Sequence, residues 1–434
     1  MEQTAPKRRV VITGYGTINP LGENAGDTFE RASRGESGID EIRAFDTTNL
    51  PCRVGGEIDE AWLEPLQQFD RYNNSRLDKF ASRAVRLMVM ATREATEMAR
   101  LDEIADRHRV GFSLGSHGEN PPIPEMKFLH RFYREGEGWD IKSLESAGGY
   151  SYMGILRRKP DVAPTLLARL FGCQGGTYSI VSACAAGAQA IGEAYKLIQD
   201  DKCDAMVAGG CEATLNFSGF IGFVLIKAMA EKYSTPQTAS RPFDRKRNGF
   251  VMSEGAGAVI LEELEHARKR GANILGELKG YGDSADAYRI TDTHPKGEGA
   301  ILAMEKAIAD AGLNLGDIDY INAHGTSTAQ NDLVESRAIE SVFNERALEL
   351  PVSSNKSMIG HTIAAAGAIE CIMSLMGINH SLLLPTINHE FKDKKCRLDY
   401  VPNEARPKEQ RNVLSNSFGF GGQNASLCIG RFED

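Results

Sequence analysis

Between Lys79 and Arg100 the residues Ala81, Ala84, Val85, Met88 and Ala95 recur at helical spacing, and Val110 to Leu114 then reads as a strand ending in Gly115, Ser116 and His117. The same run of signals returns far downstream. Ile301, Met304, Ile308 and Ala311 predict a helix, Tyr320 to Asn322 a strand, and Ala323, His324, Gly325 and Thr326 the turn after it. Other parts match in order. Thr177 to Ser182 predicts a strand that turns at Ala183, Cys184 and Ala185 into an Ala-rich helix through Ile198, followed by the strand Ala205 to Ala208. Gly360, His361 and the Ala-rich helix Ile363 to Met376 correspond to that turn and helix in the second run. Each run closes on a Gly-rich, hairpin-like segment, Gly249 to Glu262 and Asn416 to Gly430.

These patterns predict an α/β protein of two related halves, residues 1–265 and 266–434, with layered packing and buried sheets. The boundary is placed where a charged helix, Leu261 to Arg270, ends at Gly271. Residues 118–169, rich in Pro and Gly, read as an irregular excursion with short helices, of the kind that forms lids or partner surfaces.

A length of 434 residues suits two domains or one duplicated unit, and 41% hydrophobic with 25% charged residues is the balance of a globular protein. No apolar stretch approaches the roughly 18 residues of a membrane span, and Met1 to Arg9 runs into the strand Val10 to Thr13 without a signal-peptide core. A cytoplasmic location without membrane attachment is expected. The net charge of −9 argues against a general nucleic-acid binder, so an acidic partner would need a local basic patch. Eight cysteines lack C-x-x-C spacing, which suggests neither a zinc site nor a disulfide framework.

A lone Cys in an Ala/Gly-rich segment is ordinarily a packing residue. Cys184, however, falls at a predicted helix N-terminus, where the dipole and free N–H groups favour thiolate over thiol. His324, Lys356 and His361 lie in Gly-rich turns, and a fourth such turn is Asn416-Ser417-Phe418-Gly419-Phe420-Gly421-Gly422. A thiolate can carry an acyl group as a thioester, and two imidazoles can donate to a carbonyl oxygen that gains charge.

At these turns the chain resembles a type II β-ketoacyl-acyl-carrier-protein synthase, a condensing enzyme of the thiolase fold. Val11-Ile12-Thr13-Gly14-Tyr15-Gly16, Asn19-Pro20-Leu21-Gly22, Arg241-Pro242-Phe243-Asp244, Glu254-Gly255-Ala256-Gly257 and Phe418-Gly419-Phe420-Gly421-Gly422 carry the resemblance over nearly the whole chain. It implies a layered αβαβα sandwich and decarboxylative condensation of an acyl thioester with malonyl-acyl carrier protein in fatty acid elongation. A ketosynthase of a polyketide or specialised-lipid pathway is the alternative. A non-catalytic chain-length partner is remote, because such partners characteristically lack the nucleophile. A degradative thiolase would offer a second cysteine near the C-terminal Gly turn, where Phe418 and Phe420 stand and Cys428 lies too far along.

Carried over residue by residue, the resemblance makes Cys184 the acyl acceptor, His324 and His361 the donors to the malonyl carbonyl, and Lys356, paired with Glu370, the keeper of their geometry. The backbone N–H groups of Cys184 and Phe420 would form the oxyanion hole. Phe420 beside Phe418 resembles a gate, and Thr326 and Thr328 match hydroxyls that contact the phosphopantetheine arm brought by the carrier. Asn322, Glu370 and Ser415 match a structural monovalent cation site, Na+ or K+, of some relatives; no cofactor is required. Arg76, Arg157, Arg158 and Lys159, with Lys127 and Arg131 weaker, are the candidate docking patch for an acidic carrier protein. A homodimer is expected.

The match departs at Gly115-Ser116-His117-Gly118-Glu119-Asn120, where small residues and a bulky aliphatic closing the acyl pocket would be usual. His117 is unexpected, and Gly118 stands where the aliphatic belongs. Leu170 to Gly176 also replaces the usual Gly-Pro turn, so an unusual acyl substrate is an open reading.

Overall fold

The computed structural model describes the chain except residues 1–6, 70, 73–78, 149–151 and 291. Ten strands form one mixed sheet. In chain order they are β1 (Val10–Ile18), β2 (Val110–Gly115), β3 (Thr177–Ile180), β4 (Ala205–Glu212), β5 (Gly255–Glu263), β6 (Gly276–Ala285), β7 (Tyr320–Asn322), β8 (Val352–Ser353), β9 (Asn412–Phe418) and β10 (Gln423–Gly430). The first five lie in the order β1-β5-β4-β2-β3, and the second five repeat that permutation as β6-β10-β9-β7-β8. The two runs join through three antiparallel residue pairs between β1 and β6.

Helices α1 (Arg83–Ala99), α2 (Ala186–Gln199), α3 (Glu298–Asp310) and α4 (Ala366–His380) complete the layers. α1 covers the outer face of the first strand run and α3 that of the second, while α2 and α4 pack on each other between them. This is the αβαβα sandwich. α4 is buried from Ala366 to Ile378, which explains why it is apolar all round and not amphipathic. The helical run Ile363–His380 has the length and mean hydropathy, 1.3, of a membrane span, yet 89% of it is buried in this central layer.

Two glycines in each run let a helix lie directly on the sheet. A Cβ at Gly14 or Gly16 would sit 2.2 Å from the carbonyl oxygen of Ala95 or Ala91 in α1. In the second run Gly280 and Gly282 meet the carbonyls of Ala307 and Ala303 in α3 at 2.3 and 2.2 Å. Backbone cannot yield as a side chain can. Gly16→Ala is therefore expected to lower the free energy of unfolding by about 1–3 kcal/mol. Gly222→Ala, where a Cβ would meet nothing within 4 Å, should be neutral or slightly stabilising; equal urea midpoints for the two variants would contradict this.

Three expectations change. The segment Gly249 to Glu262 is not a hairpin: its strand β5 pairs with β1 and β4, both distant in sequence. Asn416 to Gly430 does fall within a hairpin, β9 with β10. The charged helix is shorter than predicted, Leu264–Lys269, because Leu261, Glu262 and Glu263 continue β5. Finally, the counterpart of the 3-10 turn Ala183–Ala185 is Ile363–Ala365, so Ala364 stands in the place of Cys184.

Candidate active site

β4, β2 and β3 are parallel neighbours, so their C-terminal ends open on one edge, and Cys184 follows β3 there. Ala183, at φ 48°, makes the sharp turn that feeds the chain into α2. In the second run Ile363, at φ 42°, makes the equivalent turn two residues after His361. The inner ends of α2 and α4 thus bring Cys184 and His361 face to face, with His361 Nε2 3.1 Å from Cys184 Sγ.

The Ile363 N–H donates to His361 Nδ1 at 3.2 Å. That bond leaves the ring proton on Nε2, directed at the sulfur, so neutral His361 is a donor at this point and not a base. The His324 ring stands nearly perpendicular to that of His361, centroids 5.4 Å apart. Sγ of Cys184 and ring nitrogens of both histidines all lie within 4.8 Å of one another, and all three residues are buried. Burial, reinforced by the charge of Lys356, holds both histidines well below the ordinary imidazole range. At neutral pH they are uncharged hydrogen-bond donors. Lys356 pairs with Glu370 behind them, each side chain only 3% exposed, and burial raises Glu370 to about 7 despite that partner.

Cys184 departs from the expectation of a thiolate. Burial pushes the thiol up to about 11, outweighing the opposing pull of the Phe420 backbone N–H, of Lys356 and of its own backbone N–H. The resting nucleophile is a thiol. Because only the thiolate reacts with a neutral alkylating agent, iodoacetamide labelling of Cys184 should rise about tenfold per pH unit from pH 7 to 10. A plateau by pH 8 would contradict the buried-thiol assignment.

Cys184, His324, His361, Phe418, Thr326 and Thr328 border a narrow cavity of about 40 Å³. A larger one, about 360 Å³, adjoins it and shares Thr293, Thr328, Asn331 and Phe420 before opening past Ile226 and Lys227. Phe420 stands where the two meet, 37% exposed, while Phe418 is buried against His324. Gly421 and Gly422, at φ 92° and 75°, hold backbone conformations that favour glycine, directly after Phe420.

Other predicted residues are placed differently. Gly118 is not among the residues bordering the cavity: a Cβ there would lie 2.1 Å from the Arg158 carbonyl, so the position holds two backbone segments together and has no room for an aliphatic side chain. Of the candidate docking patch, Arg157, Lys159, Lys127 and Arg131 are exposed. Arg158 is not a free cation; its side chain is 10% exposed and paired with Glu125. Arg76 lies outside the described residues. Asn322 Oδ1 and Glu370 Oε2 are buried without a hydrogen-bond partner among the described residues, and Ser415 pairs with Asn322 across β7 and β9.

Glu335 was not singled out by the sequence reading. It is 1% exposed and accepts the backbone N–H groups of His324 and Gly325, both at 2.8 Å, which fixes the His324 turn. Burial raises its carboxyl to about 7. The available signal was two carboxylates, Asp332 and Glu335, on a helix face otherwise made of residues such as Ala338 and Ile339.

Residues 7–267 match the β-ketoacyl synthase N-terminal domain and residues 275–390 the C-terminal domain. The chain belongs to the β-ketoacyl synthase family. It is a condensing acyltransferase of the α/β thiolase fold. The 3-oxoacyl-[acyl-carrier-protein] synthase 2 of Coxiella burnetii is 38% identical over 99% of this chain and 100% of the relative. That of Staphylococcus aureus strain COL is 40% identical over 98% and 99%. Among solved structures, a ketosynthase bound to a hexaketide in complex with its type II polyketide acyl-carrier protein superposes with a TM-score of 0.86 at 30% identity, covering 99% of this chain and all of that one. A β-ketoacyl synthase from Burkholderia phymatum gives 0.84 at 30% identity, covering 98% of this chain and 100% of its own.

Proposed function

We propose that this synthase condenses an acyl thioester with malonyl-acyl carrier protein to give a 3-oxoacyl-acyl carrier protein and CO2, in fatty acid elongation. The observation that carries the reading is the buried convergence of the Cys184 sulfur with two neutral imidazoles within 4.8 Å. Relatives about 40% identical over nearly the whole chain bear that activity in their names and favour it over the polyketide alternative.

In the first step Cys184 Sγ attacks the acyl carbonyl, the bond to the carrier's thiol breaks, and the cysteine proton ends on that leaving thiol. The helix terminus and the N–H groups of Cys184 and Phe420 hold the oxyanion. In the second, His324 and His361 donate to the malonyl thioester oxygen as the carbon–carboxylate bond breaks. CO2 departs and its bonding pair becomes an enolate, which needs charge stabilisation more than an added base. In the third, the enolate carbon bonds to the acyl carbonyl, and Cys184 leaves as thiolate and regains a proton. Phe420 would admit the malonyl arm, with Thr326 and Thr328 along its path.

A monovalent cation fits the orphaned oxygens of Asn322 and Glu370 beside Ser415, where its charge would satisfy them. Carrier docking falls to Arg157 and Lys159, with Lys127 and Arg131 nearby in the excursion. β3 is an edge strand exposing Tyr178 and, just beyond it, Val181, and pairing with a second copy would cover it, which supports a homodimer. Eight buried, unpaired cysteines suit a reducing, cytoplasmic setting. The purified enzyme supplied with acyl-carrier and malonyl-carrier thioesters should yield a product two carbons longer with one CO2 per turnover. CO2 without chain extension, or neither, would refute the assignment.

A further inference from the structure

His117 and Glu212 form a polar pair that the proposed chemistry does not use. Gly115 in β2 lies opposite Ile180 of β3 and Gly210 of β4, so His117 and Cys184, just beyond β2 and β3, share one edge with Glu212, the last residue of β4. His117 Nδ1 lies 2.7 Å from Glu212 Oε2, and the other carboxylate oxygen takes the Ala213 N–H at 3.3 Å. Glu212 is only 1% exposed and both its oxygens are engaged; the His117 side chain keeps 28% of its surface open. The remaining ring nitrogen, Nε2, has no hydrogen-bond partner among the described residues.

The strap carrying His117 is clamped. Ser116 N–H donates to the Ile180 carbonyl, Gly118 N–H to Ser116 Oγ, and Gly118 abuts the Arg158 carbonyl. The pair also bears on the reacting groups, because Glu212 helps raise the Cys184 thiol and His117 helps lower His361. Burial opposes charge on His117, but the hydrogen bond and charge of Glu212 prevail and raise it. With Nδ1 turned to Glu212, Nε2 donates to a hydroxyl or carbonyl when the ring is charged and accepts from a hydroxyl when it is neutral. A hydrocarbon chain lying against Nε2 would strip water from it and return nothing, whereas an oxygen would replace that water.

On the reading of Cys184 as acyl acceptor, we propose that His117 Nε2 hydrogen-bonds a hydroxyl or carbonyl oxygen on the acyl chain carried by Cys184, with Glu212 as the positioning residue that orients the ring. The substrate class is then an oxygen-bearing acyl thioester in preference to a saturated one of equal length.

The test loads purified carrier protein with octanoyl chains that are plain or bear a hydroxyl or keto group at C3, C5 or C7, and follows initial acylation of Cys184 by intact mass. The wild type should load at least one oxygen-bearing chain about tenfold faster than the plain one. His117→Leu should bring the ratio to about one, His117→Gln, which keeps a donor, should recover part of it, and Glu212→Gln should fall between. A general structural loss would slow all chains together and leave the ratio unchanged. Equal or faster loading of the plain chain by the wild type, or an unchanged preference in His117→Leu, overturns this inference and leaves the condensing function standing. Failure of every chain to load Cys184 overturns that function, and this inference with it.

Discussion

His324→Ala and His361→Ala should each slow decarboxylation of a malonyl thioester by about 10²–10³, the usual loss when one donor to a developing oxyanion is removed. His324→Ala should leave acylation of Cys184 largely intact, because the contact with the sulfur comes from His361, at 3.1 Å. The pH dependence separates donor from acid. Both imidazoles are held well below the usual value by burial and Lys356, so neither gains a proton between pH 6 and 8. Wild-type decarboxylation should therefore show no histidine limb in that range, where the groups beside the site that titrate are Glu335 and Glu370, each raised to about 7. An acid limb near pH 6.5 that persists in both Glu335→Gln and Glu370→Gln would mean that a histidine titrates there and must be neutral to act, against the assigned environment. Release of CO2 measured beside intact-mass acylation reads both halves of this expectation.

Lys356→Met should be the costliest substitution to the fold, because it leaves the Glu370 carboxylate buried without its partner. Breaking a buried pair by removing one member typically costs about 3–5 kcal/mol. Burial already raises Glu370 to about 7 with Lys356 in place, and removing the ammonium raises it further. The unfolded chain keeps an ordinary carboxyl, so in the variant the folded state binds the extra proton between that value and the raised one. Its stability is thus greatest at acid pH and is lost as pH rises through the folded-state pKa. The loss in melting temperature relative to wild type should be larger at pH 8 than at pH 5.5. Lys356→Met combined with Glu370→Leu should recover most of it. A deficit independent of pH, or one the double substitution deepens, would show that the pair is not what holds this region.

The site was legible in sequence because its parts sit in turns. Cys184, His324 and His361 each interrupt a Gly- or Ala-rich junction, where a reactive side chain stands out from the helix and strand pattern. Glu335 was hidden for the opposite reason: a carboxylate within a helix reads as surface until the His324 turn folds over it. The state of Cys184 was misjudged because the helix terminus can be read from local sequence, whereas burial comes from α4, Phe250 and other distant segments. Non-local pairing caused the other misses. β5 resembled a hairpin on its own glycines, but its partners are β4 and β1, the latter at the opposite end of the first run in sequence. Arg158 looked like part of a basic patch until Glu125, on a separate helix, came to meet it.

Acyl transfer to Cys184 is the step on which everything else rests, and intact-mass trapping reads it directly. The wild type, mixed with acyl-carrier thioester and no malonyl partner, should gain the mass of one acyl group, localised by peptide mapping to Cys184, and Cys184→Ala should gain none. The same adduct persisting in Cys184→Ala, or mapping to another residue in the wild type, would contradict the account.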